Sequence, residues 1–161
     1  MSEYTKPLPV PSAESGPFWE GCRRHELLLQ RCAGCRSFWF PPSVLCPECL
    51  GTDWRWVPAG GRGRIHSFVV FHRVYHPGFA GEVPYVVAVV ELEEGPRLTS
   101  NVVGCEARAV RSGMPVEVVF EDVTEAVTLP KFRPLTASSS GSEAGSEGGP
   151  AGDGAGGSGR L

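Results

Sequence analysis

The sequence lacks any long apolar run. Its longest, at residues 85–90, is far shorter than the roughly 18 residues that a membrane-spanning helix needs. The opening residues Met-Ser-Glu-Tyr-Thr-Lys-Pro contain no apolar segment either, so we expect no signal peptide. A reducing, cytoplasmic environment is the expectation that follows, and cysteines would remain thiols or thiolates there.

An excess of positive charge is also missing. Lysine and arginine number 15 against 18 acidic residues, which gives a formal net charge of −3 and argues against broad binding to nucleic-acid phosphates. A phosphate-binding glycine loop is not expected, because Gly60-Gly61-Arg62-Gly63 precedes a strand pattern and not a helix. The 15 prolines and 21 glycines leave little room for long helices and favour a fold with many turns.

What the sequence does contain is a pair of Cys-x-x-Cys motifs separated by ten residues. The first pair is Cys32 and Cys35, and the second pair is Cys46 and Cys49. This spacing is typical of a zinc site with four thiolate ligands. Two disulfides or four unrelated thiols are the alternatives, and disulfides require an oxidising compartment. We therefore predict a zinc ribbon.

Four cysteine ligands would complete the tetrahedral shell of the metal. No position would remain for water or substrate, so the predicted zinc is structural and not catalytic. The segment has few apolar residues of its own, and we expect metal binding to supply part of its folding free energy.

The remaining patterns divide the chain into five predicted segments. Proline-rich residues 1–14 suggest an extended arm, and residues 15–26 a short helix with Pro17 in its first turn. Residues 27–59 form the predicted ribbon and residues 60–135 a β domain. Residues 136–161 are rich in Gly, Ser, Ala and Glu, which predicts a disordered tail.

Five strands are expected in the β domain. Their patterns cover residues 64–71, 85–92, 97–103, 115–123 and 127–132, with a short helix or loop within residues 104–114. A longer insertion between the third and fourth strands favours a five-stranded Greek-key barrel of the OB type. A β-sandwich is the alternative. The expected fold class is mainly β.

The order of motifs resembles a known family. It combines Pro-Phe-Trp-Glu-Gly, Leu-Leu-Leu-Gln-Arg-Cys-x-x-Cys, Cys-Pro-x-Cys, Pro-Tyr-Val-Val-Ala-Val-Val-Glu-Leu and Leu-Pro-Lys-Phe-Arg-Pro, over about residues 17–135. These motifs are similar to those of the zinc-ribbon/OB-fold proteins associated with acyl-CoA, long catalogued as a domain of unknown function. The resemblance implies a non-catalytic subunit that binds a thiolase-superfamily enzyme, such as a thiolase, an acyltransferase or a steroid side-chain aldolase. It also implies that the barrel helps to shape the acyl-CoA path, and that two copies bind a dimeric partner.

Two groups of side chains are candidates for contact with a ligand or a partner. The loop at residues 72–84 carries Arg73, Tyr75, His76 and Phe79 on a frame rich in glycine and proline, and its alternative role is that of an ordinary loop at the barrel end. The aromatic residues Trp19, Phe38, Trp39 and Phe40 either dock a partner or pack the ribbon against the barrel.

No catalytic constellation is evident in the sequence. Cys22 and Cys105 lack a recognisable histidine and carboxylate arrangement, so we interpret them as small buried residues. Lys131 and Arg133 either meet a CoA phosphate or are simply solvated. A single-stranded nucleic-acid-binding module remains an alternative function, because ribbons and OB barrels both occur in that role.

Overall fold

The computed structural model describes residues 4–135, which form one α-helix and eight β-strands. The elements are α1 (Gly16–Arg23), β1 (Leu28–Cys32), β2 (Phe38–Trp39), β3 (Trp54–Pro58), β4 (Arg62–Phe71), β5 (Tyr85–Leu92), β6 (Arg97–Val102), β7 (Pro115–Asp122) and β8 (Thr128–Pro134). Two short 3-10 helices, Pro77–Phe79 and Ala107–Ala109, lie in the loops after β4 and β6. The predicted disordered tail, residues 136–161, lies outside the described residues, as do residues 1–3 of the predicted arm.

Helix α1 is bounded by local interactions at both ends. Ser12 and Ser15 each accept a hydrogen bond from the other's backbone N–H just before the helix, at 3.1 Å and 2.9 Å. After the helix, His25 takes a left-handed backbone conformation with φ of 58°, which turns the chain back. Gly21 permits this turn, because a Cβ there would lie 2.7 Å from the Leu28 side chain and 2.9 Å from the Glu26 carbonyl oxygen.

The first sheet contains three antiparallel strands in the order β2-β1-β3. Gln30 of β1 pairs with Trp39 of β2 on one side and with Trp56 of β3 on the other. The central strand is buried along most of its length, which agrees with the apolar sequence Leu-Leu-Leu that leads into it. This sheet carries the cysteine motifs.

The second sheet is a closed five-stranded barrel with the order β4-β5-β6-β8-β7. All of its strand pairs are antiparallel except β6 and β8, which pair in parallel at a single position, Val102 with Phe132. The prediction of a five-stranded OB-type barrel is confirmed. Pro130 and Pro134 of β8 occupy positions directed away from β7, where a missing N–H does not interrupt that ladder.

One hydrophobic core connects the two sheets. Phe18 of α1 and Leu29 of β1 are buried in the same cluster as barrel residues such as Ile65, Val90 and Phe132. A smaller second cluster, formed by Cys32, Trp39 and Cys46 with Trp54 packed against it, lies at the far end of the ribbon. The end of the ribbon that contains Leu29 therefore packs against the barrel core. The cysteine end lies outside that core and has its own smaller cluster.

Candidate zinc site and partner surfaces

Each Cys-x-x-Cys pair lies in a turn of the same design. The backbone N–H of Cys32 donates to the Ser37 carbonyl, and that of Cys46 donates to the Gly51 carbonyl, both at 3.0 Å. The residue after the second cysteine is left-handed in both turns, with φ of 64° at Arg36 and 59° at Leu50. These two equivalent turns direct their sulfurs to a common point.

The four sulfurs converge at the spacing that a tetrahedral zinc site requires. The Sγ atoms of Cys32, Cys35, Cys46 and Cys49 all lie within 4.8 Å of one another. Between the two turns, the Sγ atoms of Cys32 and Cys49 are 3.6 Å apart and those of Cys35 and Cys46 are 3.5 Å apart. Zinc–sulfur bonds of about 2.3 Å in a tetrahedron place neighbouring sulfurs about 3.8 Å apart. All four cysteines are free, so the disulfide alternative is excluded and the set fits zinc.

The ionisation of the sulfurs is consistent with a bound cation. The hydroxyl and the backbone N–H of Ser37 lower the pKa of Cys35 to about 6, which favours its thiolate. The backbone N–H of Gly51 lowers the pKa of Cys49, but the three neighbouring sulfurs raise it and the net pKa is about 11. Deprotonation of all four thiols is therefore unfavourable without a metal, because the thiolates repel one another. A divalent cation offsets this repulsion.

Aromatic and amide side chains next to the cysteine site pack together and hydrogen-bond to the segment between its two turns. Trp39 is 6% exposed and packs edge-to-face with Trp54, whose indole Nε1 donates to the Val44 carbonyl at 2.9 Å. Buried Gln30 donates to the Ser43 carbonyl and accepts from the Ser43 backbone N–H, at 3.0 Å and 2.8 Å. This pair of hydrogen bonds fixes the segment between the two turns to β1.

Gln30 is a structural residue that none of the sequence motifs predicts. Its signal is a polar amide within the apolar strand Leu-Leu-Gln, at a position that proves to be only 1% exposed. A buried amide must find hydrogen-bond partners, so its location indicates a backbone segment folded against it.

The four candidate docking aromatics have different environments. Trp39 lies in the ribbon core, as described, and contributes little to the surface. Trp19, Phe38 and Phe40 are half-buried and pack against the barrel core. Trp19 and Phe40, together with Phe18, also line an open cleft of about 310 Å³ next to β6 and β8.

The candidate loop after β4 carries a series of aromatic contacts. Phe71 stacks on Tyr85 with ring centroids 5.0 Å apart, and Phe79 also stacks on Tyr85, at 4.9 Å. Tyr75 meets the edge of Phe71 and is 72% exposed. His76 accepts a hydrogen bond from the Gly78 N–H at 3.1 Å, which shapes the 3-10 turn.

The N-terminal arm holds this loop against the barrel. Lys6 forms an ion pair with Glu82, and its ammonium lies 5.1 Å from the centre of the Phe79 ring. Gly78 makes room for the arm, since a Cβ there would lie 2.9 Å from the Thr5 carbonyl oxygen. Arg73 is exposed and has no ion-pair partner among residues 4–135.

The remaining reactive and basic residues have structural partners. Cys22 is fully buried, and burial raises the pKa of its thiol to about 12. Burial also raises the pKa of half-buried Cys105. Lys131 pairs with Glu121, and Arg133 pairs with Glu117 at 2.9 Å. Among residues 4–135, no helix has the length and apolar character to cross a membrane.

The chain is similar to known proteins over both its ribbon and its barrel. The family profile described as the ChsH2 rubredoxin-like zinc ribbon domain matches residues 19–55, and the profile of the ChsH2 C-terminal OB-fold domain matches residues 56–121. A DUF35 domain-containing scaffold protein of Methanocaldococcus jannaschii is 37% identical over 103 residues, which are 63% of this chain and 72% of that protein.

Two further relatives are parts of enzymes by name. A probable enoyl-CoA hydratase alpha subunit of Thermomonospora curvata is 40% identical over 80% of this chain, but the chain spans only 40% of that protein's length. Among solved structures, a chain of the "Ltp2-ChsH2(DUF35) aldolase" is 40% identical and has a TM-score of 0.72. That match covers 79% of this chain and 98% of the other.

Proposed function

Because this chain belongs to the DUF35 family of zinc-ribbon and OB-fold scaffold proteins, we propose that it is a non-catalytic accessory subunit of a thiolase-superfamily enzyme. Its role is to bind that enzyme and to help shape or shield its acyl-CoA site. The observation that carries the proposal is the match along 98% of a chain in an aldolase complex, at 40% identity. A match of this length includes the barrel as well as the ribbon.

The metal chemistry supports a structural role. Four cysteine sulfurs fill the shell of a tetrahedral zinc ion, so the site offers no coordination position at which a substrate is activated. Burial raises the pKa of the Cys22 thiol to about 12 and also raises the pKa of Cys105, which disfavours the nucleophilic thiolate of each residue. We therefore assign the making and breaking of bonds to the partner enzyme.

Two surfaces of the chain are suited to the shared site. The loop at residues 72–84 presents exposed Arg73 and Tyr75, and we assign it to contact with the partner or with its acyl-CoA, together with His76 and Phe79. The cleft beside β6 and β8 offers Trp19 and Phe40 as apolar walls. Such a subunit works in the cytoplasm, and two copies bind a dimeric enzyme.

Co-expression tests the proposal. The chain is produced with each thiolase-superfamily protein of the source genome, and the soluble yield, the mass of the complex and acyl-CoA turnover are measured with and without it. We expect one partner to form a two-plus-two complex and to lose solubility or activity when alone. A partner that is equally soluble and active alone, or acyl-CoA turnover by the isolated chain, would contradict the proposal.

A matched pair of substitutions localises the contact. Tyr75→Ala removes an exposed ring from the loop, whereas Val44→Ala removes a similarly exposed apolar group from the ribbon. We expect Tyr75→Ala to weaken the complex at least tenfold, as central aromatic residues of interfaces do. Val44→Ala is expected to change the affinity less than threefold, and equal effects would remove the loop from the interface.

A further inference from the structure

The far half of β4 is an open strand edge. Only Arg62, Gly63 and Arg64 of this ten-residue strand pair with β7, whereas the pairing with β5 continues to Phe71. Residues 67–71 therefore have a neighbouring strand on one side only. The barrel is closed at one end of β4 and open along the other.

The hydrogen-bond alternation shows which backbone groups face the open side. The Leu92 N–H donates to Pro96 on the β6 side, while the Glu93 N–H donates to Arg62 on the β4 side. In an antiparallel strand, the backbone N–H and carbonyl groups of alternate residues point to the same neighbouring strand, so those of the odd-numbered residues of β5 point to β4. Given the register of the two strands, the backbone groups of Ser67, Val69 and Phe71 bond to β5. The backbone groups of Phe68 and Val70 point to the open side.

Phe68 and Val70 therefore present two N–H groups and two carbonyl groups with no backbone partner among residues 4–135. The two positions are separated by about 6.7 Å, the two-residue repeat of an extended chain. A binding partner that hydrogen-bonds to both residues must offer N–H and carbonyl groups at the same spacing. An extended polypeptide segment has this property.

A cavity accompanies the open edge. Its volume is about 620 Å³, and it is lined by Val70 of β4, by His72 and Pro84, and by residues 105–108, in which Glu106 pairs with Arg108. There is room beside Val70 for the side chains of an added strand. Val69, on the outer face of β4, is 54% exposed.

The side chains of the open edge offer no protection against pairing. No charged or proline residue occurs between His66 and His72, and the residues between them read Ser-Phe-Val-Val-Phe. Proteins that remain free usually protect such an edge with lysine, proline or a bulge. The only irregularity in the β4–β5 register lies between Ile65 and Ser67, ahead of the open part. An unprotected apolar edge is expected where a partner covers it.

Charge distinguishes between possible occupants. Residues 62–81 contain three arginines and three histidines but no aspartate or glutamate, although the whole chain has a net charge of −3. A second copy of this chain, paired antiparallel about Val69, would place His66 opposite His72 of the copy and bring like-charged segments together. A segment flanked by carboxylates complements the edge instead.

We propose that the open edge of β4, at Phe68 and Val70, receives an extended apolar segment of the partner enzyme, flanked by acidic residues, as an additional β-strand. This inference rests on the proposed function, since the partner is the thiolase-superfamily subunit. The added strand completes the ladder on the open side of β4. It also brings the partner next to the aromatic loop that follows this strand.

Amide hydrogen exchange in the complex tests the proposal directly. In the free chain, we expect the Phe68 and Val70 amides to exchange rapidly and those of Ser67 and Val69 to be protected by pairing with β5. On addition of the co-expressed partner, we expect exchange at Phe68 and Val70 to slow at least tenfold, with little change at Ser67 and Val69. A complex that leaves Phe68 and Val70 unprotected would overturn the inference and leave the proposed function intact.

Two substitutions at one position provide an independent test. Val70→Pro removes the outward N–H and replaces the valine side chain with the proline ring, whereas Val70→Ala shortens the side chain and keeps the N–H. We expect Val70→Pro to weaken the complex at least tenfold and Val70→Ala less than threefold, with zinc content unchanged in both. Equal effects of the two variants would contradict strand addition.

The other occupants give distinct results. A doubled mass of the isolated chain that Val70→Pro abolishes would identify a second copy and overturn the assignment. Protection of Phe68 and Val70 by a single-stranded oligonucleotide at physiological salt would overturn it in favour of nucleic acid. Failure of every thiolase-superfamily protein to form a complex would overturn this inference and the proposed function together.

Discussion

Within residues 4–135, three residues other than glycine have a left-handed backbone: His25, Arg36 and Leu50. Two of them follow the second cysteine of a zinc-site turn, which shows that the turn, and not the residue, selects the conformation. For a residue with a Cβ, this conformation costs about 1–2 kcal/mol. The sequence contains no glycine at these positions, so the strain could not be anticipated from the chain alone.

Leu50→Gly is therefore expected to stabilise the ribbon. Leu50 is 70% exposed and loses little packing, while glycine adopts a positive φ without a steric penalty. The relieved strain, about 1–2 kcal/mol, exceeds the entropy that glycine adds to the unfolded chain, about 0.5–1 kcal/mol, so we expect the free energy of unfolding to rise by up to about 1 kcal/mol. Urea denaturation of the zinc-bound protein measures the change.

The control for Leu50→Gly is Ala33→Gly. Ala33 lies in the first turn, is exposed, and does not have a positive φ. Glycine there adds conformational entropy to the unfolded chain and lowers the stability by about 0.5–1 kcal/mol. Destabilisation by both substitutions would show that Leu50 is unstrained.

A carboxylate joins the end of the helix to the barrel. Asp122 of β7 accepts hydrogen bonds from the Thr128 hydroxyl at 2.6 Å and from His25 Nε2 at 3.0 Å. His25 also stacks on Phe120, with ring centroids 5.3 Å apart. The hydrogen bond from Thr128, followed by that from His25, lowers the pKa of Asp122.

This lowered pKa predicts a pH dependence of stability. A carboxyl group with a depressed folded-state pKa stabilises the protein above its unfolded value of about 3.9, and the contribution is lost as the pH falls through the folded value. Thr128→Val removes the larger cause, so we expect a higher Asp122 pKa by NMR titration and a smaller loss of stability between about pH 5 and pH 2.

Glu125→Gln is the control for this pH effect. Glu125 is exposed, near Asp122 in sequence, and forms no ion pair within residues 4–135. Its substitution should leave the Asp122 pKa and the acid limb of the stability curve unchanged. An unaltered Asp122 titration in Thr128→Val would contradict the assignment.

At the scale of elements, β1 joins two different environments. Its first residues, Leu28 and Leu29, are buried at the end near the barrel, and its last residue, Cys32, belongs to the zinc site. The strand is thus held at one end by hydrophobic packing and at the other by metal coordination. These two sources of stability should be separable.

Removal of zinc by a chelator tests this separation. We expect the amides of residues 32–54 to exchange much faster, because metal binding supplies the folding free energy of that end. The amides of Leu29 and of the barrel strands should remain protected, since their core contains no metal ligand. Re-addition of zinc is the control and should restore protection. An unchanged exchange pattern in metal-free protein would refute a stabilising role for zinc.

The elements that local chemistry determines were predictable from the sequence. The cysteine spacing predicted the zinc ligands, and alternation with turn residues predicted five barrel strands. The predicted strand at residues 64–71 begins two residues earlier in the structure, at Arg62, because pairing with β7 extends it. The role of Gln30 and the open edge of β4 depend on contacts between distant segments, which a single sequence does not reveal.

At the scale of the whole molecule, the helix, the ribbon and the barrel share one core. Phe18 is 2% exposed, contacts Trp19 and Phe40 at ring-centroid distances of 5.1 Å and 5.0 Å, and belongs to the barrel cluster. The sequence suggested separate segments here, because periodicity defines elements and does not show which of them pack together. The shared core makes the N-terminal part a structural component of the barrel.

Phe18→Ala should therefore destabilise the entire described fold and not only the helix. Loss of a buried phenylalanine typically costs about 3–5 kcal/mol, because a cavity remains. We expect the unfolding transition of the barrel, followed by exchange of the β5 and β8 amides, to shift by this amount while zinc stoichiometry in the folded protein stays the same. Phe18→Leu keeps most of the apolar volume and should cost less than about 1.5 kcal/mol. If Phe18→Ala loosened α1 while the barrel amides kept their protection, the helix would be an independent attachment, and the single core would not govern stability.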